Sequence, residues 1–178
     1  MTPSSVRYIC SHRHRQMPRF TAVGEGVYDL CPKTAWKVVS DWTYAWMTKD
    51  VSPAVVKDPQ GTGVGATRTV VMLEGDASWT EEITKFEPEN MTWSYKLTSE
   101  LPPPFNAMEY STFLCTLSVT SLGKNKCQIS IKGEYDAKEA QAPLEPMYKG
   151  WADQIAKYAS TVKKRCGPYR PGVPCTVM

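Results

Sequence analysis

The clearest pattern in the chain is the alternation from Met91 to Thr98, in which Met91, Trp93, Tyr95 and Leu97 interleave with Thr92, Ser94, Lys96 and Thr98. A period of two predicts a β-strand with its large residues turned to a core and its polar ones to water. Strands are predicted also at Phe20 to Tyr28, Val51 to Lys57, Phe105 to Ser121 and Cys127 to Tyr135. On the strand from Phe105 to Ser121, Met108, Tyr110, Thr112 and Leu114 share one face, and Phe113, Cys115, Leu117 and Val119 the other. Gly123-Lys124-Asn125 reads as the turn after it, and Pro102-Pro103-Pro104 as an extended loop before it. Between Asp58 and Phe86 the chain passes glycines at 61, 63 and 65, the β-branched run Thr67 to Val71, a break at Glu74-Gly75-Asp76, and a return through Trp79. That order predicts a glycine-rich turn followed by a β-hairpin. Alternating glycines cradle a phosphate only when a helix N-terminus follows them, and here strand formers follow.

Helical spacing appears early and late in the chain. Cys31-Pro32-Lys33-Thr34 opens a short helix with Ala35, Trp36, Val38 and Val39 as its apolar face, and Trp42 to Met47 forms a second short helical or looped piece. This second piece carries Trp42, Tyr44, Trp46 and Met47, a lining suited either to core or to a pocket mouth. After Pro143, the residues Leu144, Met147, Tyr148, Trp151, Ile155, Tyr158, Ala159 and Val162 recur at spacings of three and four. They predict an amphipathic helix of about 20 residues. The fold class is α+β: a curved antiparallel meander wraps the long C-terminal helix and buries its stripe. The gap between sheet and helix is either filled by side chains or left as a cavity.

The hairpin carries the most informative polar residues. Val64, Ala66, Arg68, Val70 and Met72 share a face, and Arg68 is the one charge among them. The returning strand presents either Trp79, Glu81 and Ile83 or Thr80, Glu82, Thr84 and Phe86 to the same side. An arginine among apolar residues is costly unless paired, so one of the two glutamates is its expected partner; the pattern leaves the register open.

The 178 residues, 42% of them apolar, suffice for one domain with a core. No apolar run approaches the roughly 18 residues of a membrane span. The cysteines at 10, 31, 115, 127, 166 and 175 form no C-x-x-C pair, so neither a zinc site nor a disulfide framework is expected, and no metal or cofactor is called for. His12 and His14 are the only histidines, which excludes a histidine-based triad inside the domain. Asn90-Met91-Thr92 has the form of a glycosylation sequon, relevant only to a secreted chain.

Charge divides the chain into three parts. Residues 1–24 carry four arginines and no acid, and residues 154–178 carry Lys157, Lys163, Lys164, Arg165 and Arg170 and no acid. Of 21 basic residues, 12 therefore face all 18 acids, which leaves the body near −6 against an overall +3. Residues 1–19 read as a disordered basic extension, 20–162 as the domain, and 163–178 as a basic, proline-containing tail. A nucleic-acid binder carries its positive charge on the folded surface, so none is expected as partner. The first segment has the composition of an organelle transit peptide; the alternative is a start at Met17. Cys175-Thr176-Val177-Met178 fits the C-a-a-X pattern of farnesylation, with Thr176 in place of an aliphatic residue. Cys166, as a palmitoylation candidate, and Lys163-Lys164-Arg165, as a basic patch, supply the second signal that stable anchoring needs. The expected location is cytoplasmic, on an anionic membrane face through the lipidated tail; the alternative is an organelle, reached through the N-terminal extension.

The order of these features resembles the START-like helix-grip superfamily, in its polyketide cyclase/dehydrase and lipid-transport-like branch. The resemblance rests on the strand, the short helices, the run Gly63-Val64-Gly65-Ala66-Thr67-Arg68, the glutamates Glu81-Glu82, Tyr95, the proline-rich loop before Tyr110 and the closing helix, and it covers about residues 20–162. It implies a deep cavity for a hydrophobic small molecule (a lipid, sterol or aromatic metabolite) in a monomer or weak dimer. Some members only carry or sense ligands. Others cyclise or dehydrate polyketides without cofactors, using an arginine and tyrosines. Carried over, Arg68, Glu82 and Tyr110 are the catalytic candidates. Trp42, Trp46, Arg68, Trp79, Glu82, Trp93, Tyr95, Met108, Tyr110, Met147, Tyr148 and Trp151 are the ligand-binding ones. The chain departs from the plant hormone receptors of the same fold in lacking gate and latch motifs, and it has no histidine in the domain.

Overall fold

The computed structural model describes residues 17–43, 54–72, 78–99, 110–138, 140 and 143–166. Its strands are β1 (Arg19–Tyr28), β2 (Ala54–Gln60), β3 (Thr67–Met72), β4 (Ser78–Glu87), β5 (Thr92–Leu97), β6 (Tyr110–Gly123) and β7 (Lys126–Ala137). Helix α1 (Pro32–Val39) follows β1, and α2 (Leu144–Cys166) follows β7. The strands form one seven-stranded antiparallel sheet in the order β1-β7-β6-β5-β4-β3-β2, a meander whose last strand closes onto the first. The helix-grip architecture expected from the pattern is the one observed.

The period of two sets the two faces. Along β7, Cys127, Ile129, Ile131, Gly133, Tyr135 and Ala137 are buried, while Gln128, Ser130, Lys132, Glu134 and Asp136 stand on the wetter side. On β5, Trp93 and Tyr95 point inward, and on β6 Cys115, Leu117 and Val119 do so. On β4 a register shift between Ile83 and Lys85 lets Phe86 stand directly opposite the inward Trp93, so Trp79, Glu81, Ile83 and Phe86 all belong to the inner face. A bulge of this kind is what a strict alternation cannot foresee.

Helix α2 lies along β1 because two glycines let it come close. A Cβ on Gly24 would sit 2.1 Å from the Lys149 backbone nitrogen, and one on Gly133 would sit 2.4 Å from the Tyr148 hydroxyl. Farther along both elements, the Tyr28 hydroxyl donates to Asp153 Oδ1 at 2.8 Å, and Lys149 Nζ donates to the same oxygen at 2.5 Å. Helix and strand thus run in the same direction, towards α1, which also packs on α2. The α2 stripe buries Leu144, Tyr148, Ala152, Ile155, Ala156 and Ala159.

Boundaries differ from expectation in a few places. Of the strand expected at 51–57, residues 51–53 lie outside the described residues; it continues beyond its expected end to Gln60 and includes Asp58 at a positive φ of 47°, with a register shift there. Strand β6 is described from Tyr110, the residues before it lying outside the described ones. One short helix after β1 is described; Trp42 and Thr43 form a turn, and the remainder of the second expected piece, residues 44–47, lies outside the described residues, as do residues 1–16 and 167–178.

Candidate functional site

Arg68 on β3 faces Glu81 directly across the β3–β4 ladder. Both are buried, at 1% and 3% exposure. Arg68 Nε donates to Glu81 Oε2 at 2.7 Å, its Nη2 donates to the same oxygen, and its Nη1 donates to the Trp42 carbonyl at 2.7 Å. The other carboxylate oxygen accepts from Trp79 Nε1 at 2.9 Å. The pair is therefore charge-neutral and hydrogen-bonded on both partners, which is the condition for keeping two ions out of water.

Aromatic rings sheathe the guanidinium. Its central carbon lies 3.9 Å from the Trp42 ring centroid, 5.5 Å from Tyr95 and 5.9 Å from Trp93. Such faces offer a cation their negative quadrupole. Trp42 meets Trp93 edge-on at 5.3 Å, and Trp93 lies 5.6 Å from Tyr95. Trp93 Nε1 donates to the Val39 carbonyl at 2.8 Å, so the C-terminal end of α1 fixes this ring. The Trp42 indole nitrogen is buried and has no hydrogen-bond partner among the described residues.

Beyond Tyr95 the cluster continues to Cys115, opposite it on β6, and to Tyr148 on α2. Burial pushes the Cys115 thiol up to about 12, outweighing the opposing effect of hydrogen bonds from Tyr95 and Tyr148. The thiol is thus held protonated and is no nucleophile at neutral pH.

The structure brings together only part of the expected set. Arg68, Trp42, Trp79, Trp93 and Tyr95 form one cluster, and Tyr148 joins its far side, its ring tilted against the half-buried Trp151 at 5.6 Å between centroids. Met147 packs half-buried against the core. Glu82 is a correction: it stands on the opposite face of β4, bridged to Lys96 Nζ at 3.1 Å, because successive strand residues point to opposite sides. The acid of the cluster is Glu81. The Tyr110 backbone lies on β6 next to a register shift, but its side chain, and the whole of Trp46 and Met108, lie outside the described residues. Of the tail candidates, Cys166 is the last residue of α2 and Cys175 lies outside the described residues. Glu81 was one of two open choices for Arg68; Cys115 and the carbonyls of Val39 and Trp42 carried no sequence signal.

A curved sheet gripping one long helix, with a polar pair set in aromatic residues on its inner face, defines a protein of the START-like helix-grip superfamily. More closely, residues 23–165 match the model of the family described as polyketide cyclase / dehydrase and lipid transport, and the chain belongs to that family. Among solved structures, norcoclaurine synthase from Thalictrum flavum in complex with dopamine and hydroxybenzaldehyde is similar at a TM-score of 0.63 and 18% identity, covering 89% of this chain and 99% of that one. The Zhui aromatase/cyclase from Streptomyces sp. R1128 is similar at 0.62 and 12% identity, covering 84% and 99%. The protein XoxI from Bacillus cereus is similar at 0.60 and 16% identity, covering 82% and 98%. A search of curated proteins gave no significant match.

Proposed function

We propose that the chain binds a hydrophobic or polyketide-like small molecule, of the lipid, sterol or aromatic-metabolite type, between α2 and the inner face of β3, β4 and β5. The observation that carries this reading is the lining of that face. Arg68, Glu81, Trp79, Trp93 and Tyr95 set a few polar tips among large apolar surfaces, the composition of a site for an apolar molecule bearing a few oxygens. Membership of a family that includes cyclases and lipid transporters supports the same class of ligand.

Binding is favoured over cyclisation by the bonding of Arg68. A guanidinium that polarises a carbonyl must aim donors at it, whereas Nε, Nη1 and Nη2 are here directed to Glu81 and to the Trp42 carbonyl. Native mass spectrometry of the protein purified from its own cells, followed by denaturing mass on the same sample, tests the proposal. A small molecule that leaves on denaturation is the expected result and supplies the ligand's mass. Protein that is empty in every preparation, and that retains none of a panel of fatty acids, sterols and polyphenols, would overturn it.

A further inference from the structure

An open cleft lies outside the grip, at the pole where β1 hands over to α1. Lys33, Trp36, Lys37 and Ser40 recur along α1 at helical spacing and face Pro88, Glu89 and Met91 of the turn between β4 and β5 across an open cleft of about 560 Å³. Trp36 forms an apolar floor there, packed on Phe86 at 6.1 Å between centroids, and Met91 holds a left-handed conformation beside it. Lys33 and Lys37 are exposed, and among the described residues neither has a carboxylate partner. Lys33 also sits in the first turn of α1, which holds no acidic residue. The helix dipole disfavours a cation at that position, so helix stability does not account for it.

The same pole receives the basic end of α2. The helix passes Gly24 at Lys149 and Tyr28 at Asp153, heading towards α1. Its remaining turns, through Lys163-Lys164-Arg165 to Cys166, carry it onward by about 20 Å at 1.5 Å per residue. Lys33 and Lys37 of α1 thus stand beside an apolar floor, with Glu89 the one carboxylate among the cleft's lining residues.

We propose that this pole is a docking surface for anionic membranes, with Lys33 and Lys37 taking lipid phosphates or carboxylates and Trp36 and Met91 taking the interfacial apolar contact. Charge complementarity commits the occupant. Two exposed ammonium groups, neither with a carboxylate partner among the described residues, flank a half-buried tryptophan, the residue type that settles at the headgroup boundary. The folded surface then holds the membrane independently of any lipid on Cys175.

The test uses the full chain carrying Cys175→Ser, so that no prenyl group contributes, and sedimentation with vesicles of phosphatidylcholine alone or with 30% phosphatidylserine, a composition of about one anionic lipid in three. Binding to the anionic vesicles only, weakened by 0.5 M salt, is expected; salt at that level shortens electrostatic reach to about 4 Å. Lys33→Ala/Lys37→Ala should lower the partition coefficient about 25-fold, at about five-fold per lysine, with an unchanged thermal midpoint and unchanged ligand retention in the grip. Equal partitioning of that double variant and its parent would overturn the proposal, and so would binding indifferent to phosphatidylserine. A Lys163→Ala/Lys164→Ala/Arg165→Ala variant that abolishes binding while Lys33→Ala/Lys37→Ala leaves it unchanged would assign the surface to the tail and also overturn it.

Discussion

Removing Glu81 should damage the fold more than removing the whole ion pair. In Glu81→Leu the Arg68 guanidinium, 1% exposed, loses the acceptor of its Nε and Nη2 donors, and the Trp79 indole loses its acceptor as well. Breaking a buried pair on one side costs about 3–5 kcal/mol because an uncompensated charge remains, and a stranded indole donor adds about 1 kcal/mol. Domains of this size have about 5–15 kcal/mol in total, so the variant should be marginal or unfolded at 25 °C. Arg68→Met should cost a similar amount through the buried carboxylate. The double variant Arg68→Met/Glu81→Leu replaces both ions by apolar groups of comparable volume, and it should lie within about 2 kcal/mol of the parent. Urea melts followed by circular dichroism give the three differences, and the coupling energy should exceed about 3 kcal/mol. Should a single variant fail to fold, the refolded double variant carries the test. Single variants that each cost less than about 1 kcal/mol, or costs that simply add, would refute the account of the pair.

The grip of α2 can be tested at the two glycines: Gly24→Ala places a Cβ 2.1 Å from a backbone nitrogen, so a loss of about 3 kcal/mol or more is expected in the same melts. Gly63→Ala, at a φ of 81° with nothing within 4 Å, should cost only about 1–2 kcal/mol of backbone strain. Burial raises the Cys115 thiol from its ordinary 9.0 to about 12 in the fold, so its contribution is intact below pH 9 and is lost as pH rises towards 12. Raised values for Tyr28, by burial and then its bond to Asp153, and for Cys127, by burial, act in the same direction. Stability should therefore fall above pH 9, less steeply in Cys115→Ala, and a thiol reagent at pH 8 should leave Cys115 unlabelled until denaturant is added. For the tail, we propose anchoring through Cys175: Cys175→Ser should move the protein from the membrane to the soluble fraction of its own cells, beyond what the α1 pole retains, and an unchanged distribution would count against it.

The alternating strands and the stripe of α2 were legible because both are set by one periodic property, burial on one face. The identity of the Arg68 partner was not, because it depends on where the hairpin folds over. Pairing symmetric about position 75 opposes Arg68 to Glu82, whereas pairing shifted by one residue opposes it to Glu81, and the observed strand register is the second. A shift of one residue in register thus decides which carboxylate is buried. Phe86 was assigned to the face of Glu82 for a related reason: the shift between Ile83 and Lys85 reverses the alternation once. The roles of Gly24 and Gly133 depend on an approach by α2 from far along the chain, and no local pattern reports it.

Once the register is known, the shape of the interior follows from side-chain size. Across β1, β7, β6, β5 and β4, one inward row reads Gly24, Ile131, Leu117, Trp93 and Phe86, and the next reads Ala22, Gly133, Cys115, Tyr95 and Ile83. In both rows the small residues lie at the end where α2 packs on β1 and β7, and the bulkiest stand on β5. Close packing requires side chains to fill the distance between layers, so the rows describe a wedge: helix and sheet nearly touch at Gly24 and diverge towards β5 and β4. At the wide end the gap is spanned by Trp93, Tyr95 and Trp42 around the Arg68–Glu81 pair rather than by the helix. A ligand that enters the grip would meet the protein there, against the rings and the polar pair, and not at the narrow end, where backbone lies against backbone. The polar pair is placed where the wedge is widest, which is why the β3–β4 hairpin, and not the long helix, sets the chemistry of the site.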